Sequence, residues 1–88
     1  MKIFYLPEVL DTAAAPDLLE NLKMLSEDIL LDGREVKRLG GRCLEILLSA
    51  RKTALSKGKN FKIQNLSYEM EKSLVLMGAK RILDEETT

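Results

Sequence analysis

Four consecutive residues, Gly40-Gly41-Arg42-Cys43, hold most of the chemistry this chain could offer, because they join an extended segment ending at Leu39 to an amphipathic stretch. A helix beginning there presents free backbone N–H groups and a partial positive charge, which suits an anion. The neighbouring sequence lacks both Gly-x-x-x-x-Gly-Lys-Ser/Thr and Gly-x-Gly-x-x-Gly, so the two glycines read first as a sharp strand-to-helix turn. Arg42 opposes the helix dipole, at a cost of about 0.3–1 kcal/mol; it is either a partner contact or a tolerated, solvated side chain. Cys43 sits where a thiol pKa can fall. The chain has no histidine and no second cysteine, so a catalytic thiol would lack its base, and a small packed side chain beside Ile46, Leu47 and Ala50 is the better reading. Asp11, Asp28 and Asp32 could be imagined as paired carboxylates. Asp11 is better explained as a helix cap and Asp32 as a strand-exit turn residue. Met70 and Met77, seven apart on one helix, have core spacing. No metal set and no cofactor motif emerges.

These residues need elements to position them. "KIFYL" at 2–6 is β-branched and aromatic and stops at Pro7, as a first strand would. Asp11 or Thr12 caps a helix over 13–25, with Ala15, Leu18, Leu19, Leu22 and Leu25 inward and Pro16 in its first turn. "DILLDG" at 28–33 is a continuous apolar run, as in a parallel-sheet strand buried on both faces. The second helix covers 41–57, with Leu44, Leu47, Leu48 and Leu55 as its stripe. "FKIQN" at 61–65 is another strand, followed by a helix through about Met77 that Gly78 ends. "KRIL" at 80–83 reads as a last short strand and "DEETT" at 84–88 as a frayed tail. The order predicts one α/β domain over 1–88, a small, mostly parallel sheet of three to four strands with helices packed on it.

Bulk properties narrow the function. In 88 residues, 45% hydrophobic and 32% charged, fourteen basic and fourteen acidic side chains cancel. A balanced, dispersed charge gives no field for nucleic acid or an anionic membrane. No apolar run approaches the ~20 residues of a membrane helix, the start meets Pro7 too early for a secretory signal, and one cysteine forms no internal disulfide. A cytoplasmic, non-enzymatic protein without nucleic acid or membrane insertion is expected.

With those elements in place, the chain resembles a known family. "LDTAAAPDLLENL" at 10–22 is similar to the Leu-Asp-x-x-x-Ala-x-x-Leu opening helix of STAS domains, the fold of bacterial anti-sigma factor antagonists. Residues 29–83 follow the same family without a gap: strand, Asp-x-x-x-Val, loop, Leu-x-x-Leu-Leu helix, Gly turn, strand, helix and Leu-x-x-x-Gly. Compact, free-standing members, including those associated with chemotaxis, are the most similar. The resemblance implies a protein-interaction module that docks on an anti-sigma-like regulatory kinase or a chemotaxis component. The docking surface would be the 39–43 loop and the polar helix face, namely Gly40, Gly41, Arg42, Glu45, Ser49 and Lys52. The family's Asp-Ser-Ser/Thr-Gly loop falls on Gly40, Gly41, Arg42 and Cys43. Its phosphorylated hydroxyl is therefore replaced by Arg42, and no phosphorylation is expected there; Ser49 is a displaced alternative. Another role seen among small STAS proteins is that of a soluble accessory subunit of an ABC-type lipid transport complex, bound to its ATPase. Relative to the family the chain starts after the leading edge strand and stops before the final helix. Either would leave a pairing surface, so a homodimer is among the expectations.

Overall fold

The computed structural model describes residues 2–25 and 27–83, and the expected acidic tail at 84–88 lies outside them. Three strands, β1 (Ile3–Tyr5), β3 (Ile29–Asp32) and β5 (Phe61–Gln64), form a parallel sheet with β3 in the centre. Two further strands, β2 (Val9–Leu10) and β4 (Arg38–Leu39), pair in parallel as a separate two-rung ladder. The expected small, mostly parallel sheet of three to four strands is this three-stranded parallel sheet, and the two-stranded ladder beside it was not anticipated. The missed β2 follows Pro7 too closely to read as a strand of its own, and its partner lies beyond β3 in the chain.

Register explains which side of the main sheet is the core. Ile29 pairs with Phe61, and Leu31 pairs with both Phe4 and Ile63. These side chains share one face, and Ile29, Leu31, Phe61 and Ile63 are buried. The other face carries Ile3, Leu30 and Lys62, with Leu30 half-buried and Lys62 exposed. The expectation that β3 is buried on both faces is met at Asp32, which has no exposed surface, and in part at Leu30, which is half-buried.

A single 3-10 turn (Thr12–Ala14) leads into α1 (Ala15–Lys23), shorter than the expected 13–25. Asp11 caps this entry, its carboxylate accepting from Ala14 N at 3.1 Å, and Pro16 sits in the first turn of α1. Ala15, Leu18 and Leu22 are buried, whereas Leu19 is pushed to the rim. The helix α2 (Gly41–Ser56) packs against α1 and buries Cys43, Leu44, Ile46, Leu47 and Ala54. Gly58 (φ 74°) stops it: Gly58 N donates to Leu55 O and Lys59 N to Ala54 O, closing the last carbonyls as a left-handed cap does.

The last helix, α3 (Tyr68–Leu76), starts at Ser67, whose hydroxyl accepts from Met70 N and donates to Val36 O. It buries Met70 and Leu74, while Met77, expected in the core, is 37% exposed just past the helix end. Gly78 (φ 67°) makes the same kind of cap. Beyond it, Lys80–Leu83 is a 3-10 turn, not the expected strand. The spacing of three between Ala79 and Ile82 places both on one side of a 3-10 turn, and both are buried.

Candidate functional site

The entrance to α2 is held from below by backbone. Gly40 N donates to Leu10 O at 2.9 Å, continuing the β2–β4 ladder, and Gly40 O accepts from Leu44 N at 3.0 Å as the first bond of the helix. Leu39 and Cys43 point inward on either side. The Cys43 thiol is buried, 3.3 Å from Asp11 O, and burial together with the nearby Asp11 carboxylate pushes its pKa up. It packs, as expected, and is not an activated nucleophile.

The glycines do something other than the sequence suggested. Gly40 has φ −94° and ψ 170°, extended backbone that any residue adopts, and Gly41 is the first residue of the helix. A Cβ at Gly41 would meet no atom within 4 Å, and one at Gly40 would make only ordinary contact with Leu10 O at 3.5 Å. The turn does not need glycine, so that reading is corrected: what the pair provides is a helix end bare of side chains. Gly41→Ala should accordingly raise stability by up to about 0.5–1 kcal/mol, because helix formation costs alanine less entropy. A shift in the urea midpoint to higher concentration would show it; a loss of stability would mean that the loop is tighter than its geometry indicates.

Arg42 finds its partner on its own helix. Its Nη1 lies 3.3 Å from Glu45 Oε1, with the side chains 60% and 70% exposed. A pair so exposed contributes little, but it locally offsets the unfavourable placement of a cation in the first turn. Ser49 and Lys52 continue the same strip and are exposed. The structure therefore brings Gly40, Gly41, Arg42, Glu45, Ser49 and Lys52 onto one outward strip, none of them needed by the core.

One constellation was not anticipated. Asp32, read as a turn residue, is the buried charged side chain of the core, with no exposed surface. Arg34 grips it with two bonds, Nε to Oδ1 at 3.0 Å and Nη2 to Oδ2 at 2.8 Å, and adds its backbone N at 2.9 Å. Asn65 and Gln64 donate to Oδ2 at 2.9 and 3.3 Å. The Arg34 guanidinium lies 5.5 Å from the Tyr5 ring centroid. Chiefly through the Arg34 bonds, with help from the two amides, the carboxyl is held well below the usual carboxylate range. With its lone pairs engaged and its proton affinity suppressed, Asp32 is a fastener at the carboxyl ends of β3 and β5, not a general base. The one sequence signal is the register that puts Tyr5, Asp32 and Gln64 in a row, which spacing alone does not reveal. Asp28 is similarly engaged, accepting from Asn60 N at 2.8 Å. Among the described residues no cluster of acidic and thiol side chains could hold a metal ion, and no helix is long and apolar enough to cross a membrane.

No protein-family model and no curated protein matches the chain. A solved structure does: a sulfate transporter family protein from Wolinella succinogenes, 18% identical, superposes with a TM-score of 0.74 over 97% of this chain and 72% of that one. Likeness at that identity speaks to the fold. The architecture is STAS-like, a parallel three-stranded sheet plus a two-stranded ladder with three helices packed on them.

Proposed function

We propose that this chain docks, without catalysing a reaction, on a regulatory protein partner through residues 39–43 and the outward strip of α2. The observation that carries the reading is the bare entrance of that helix. Two glycines stand where neither backbone angle nor space requires them, beside an exposed Arg42–Glu45 pair that the core does not use. A surface free of structural duty and stripped of side chains at its lip lets another backbone come close. The STAS-like resemblance supports an anti-sigma-like regulatory kinase or a chemotaxis component as the partner. With Arg42 at the position of the family's acceptor hydroxyl, docking would be constitutive or controlled by something other than loop phosphorylation.

Exchanging the two charges, Arg42→Glu with Glu45→Arg, keeps the ion pair and inverts its presentation. Co-purification of the native partner should fall at least tenfold while the melting temperature moves only a few degrees, as expected of surface changes within about 0.5 kcal/mol. Retention at wild-type strength would place docking elsewhere. A second reading is the soluble accessory subunit of an ABC-type lipid transport complex; the similar structure shares with it transport in general, being a sulfate transporter family protein. Recovery of an ATPase in the same co-purification would select it.

A further inference from the structure

On the flank of the outward strip, α1 and α2 do not close completely. Between them lies a cavity of about 360 Å³, within the ~300–1,000 Å³ of small-ligand sites. Its floor is apolar: Leu22, Ile29, Ile46 and Ala54 are buried there, and the half-buried Leu25 and Ala50 form the walls. Its rim has the opposite character. Lys23, Lys57 and Lys59 stand around the mouth against one acid, Glu27. Lys59 Nζ lies 3.3 Å from Glu27 Oε1. Among the described residues Lys23 and Lys57 are exposed, and neither has an ion pair. A protein whose charges cancel overall has thus gathered cations around one apolar opening.

We propose that this cavity is a binding site for a single-chain amphiphile with an anionic head, of the fatty-acid class. The alkyl chain would replace solvent between α1 and α2, driven by the removal of its methylenes from water, and the carboxylate would remain at the mouth with Lys23 and Lys57. The volume is at the low end of the small-ligand range, which suits one chain of medium length over a two-chain lipid. A carboxylate with an apolar tail satisfies both halves of the site, whereas a plain anion would leave the floor wet and a neutral hydrocarbon would leave the lysines unused.

The test uses sodium decanoate below its micelle concentration, followed by two-dimensional amide NMR on the whole chain. Saturable, one-to-one shifts should appear at Leu22, Ile46 and Ala54. Ala50→Phe should fill the wall and weaken binding tenfold or more. Thr53→Trp, placed at an exposed rim position, should obstruct the mouth and weaken binding even if the first variant folds poorly. Lys23→Glu with Lys57→Glu should lower decanoate affinity about three- to tenfold, as two exposed charge contacts would, and leave decanol unaffected. Shifts that never saturate, or binding unchanged in Thr53→Trp, would remove the site. Decanol binding as tightly as decanoate, with no response to the lysine reversals, would overturn the anionic assignment.

Discussion

Asp32→Ala is expected to lower stability by about 2–3 kcal/mol, less than the ~3–5 kcal/mol of breaking a fully buried ion pair. The carboxylate has no exposed surface and accepts bonds from the backbone N of Arg34 and from the side chains of Arg34, Gln64 and Asn65. Truncation removes them all and leaves the half-buried Gln64 amide and the exposed Asn65 amide without that acceptor. The discount arises because the Arg34 side chain is 55% exposed, so water can solvate the guanidinium once its partner is gone. In a chain of this length the melting temperature should fall by roughly 10–20 °C. Acid should expose the same interaction. The folded carboxyl is held below its unfolded value of about 3.9, so below that pH the unfolded chain takes up a proton that the folded chain refuses. The contribution of Asp32 is therefore present in full above about pH 5 and lost as the pH falls toward the folded value. Urea midpoints between pH 7 and 2 should decline less steeply in Asp32→Asn than in the parent. Equal slopes, or an Asp32→Ala cost below about 0.5 kcal/mol, would mean that the cluster fastens nothing.

Gly33→Ala should be costly for a reason unrelated to backbone freedom. A Cβ at Gly33 would stand 2.6 Å from Met70 Sδ, with Ile63 Cγ2 and Leu66 Cα at 3.8 Å. Met70 has no exposed surface, so the thioether must find another rotamer within a filled core, and overpacking of this kind costs about 1–3 kcal/mol. Met70→Ala alone should cost about 2–5 kcal/mol through the cavity it leaves. The double variant decides the matter, because the new methyl would enter the space the thioether vacates. The two losses should fall short of their sum by about 0.5–3 kcal/mol. Strict additivity in a denaturation cycle would show that the contact between β3 and α3 is not the constraint.

The parts of this molecule that were legible in the sequence are those set by neighbours along the chain. The Asp11 cap, Pro16 in the first turn, the Gly78 stop and the packed Cys43 all follow from local spacing, and each stands where expected. The outward strip of α2 was legible for the same reason, since helical period alone separates Arg42, Glu45, Ser49 and Lys52 from the leucine stripe. What escaped depends on register. Nothing in "PEVLD" announces that Val9 and Leu10 meet Arg38 and Leu39, and nothing in "DGR" announces that Gln64 and Asn65 arrive beside Asp32. The cavity needed the α1–α2 packing. "KRIL" misled because β-branched and apolar residues suit a strand and a buried 3-10 turn equally well, and the preceding left-handed Gly78 decides between them.

The β2–β4 ladder holds the entrance of α2 by main-chain bonds, and the two side chains that anchor it, Leu39 and Cys43, bracket the three that do not. Burial thus falls on the two ends of this five-residue stretch, and the three positions between them carry no buried side chain. Mutational drift at 40, 41 and 42 meets little resistance from the fold, whereas Leu10, Leu39 and Cys43 are constrained by burial. Under the docking proposed above, point substitutions at three adjacent codons would exchange one partner for another while the core remains untouched.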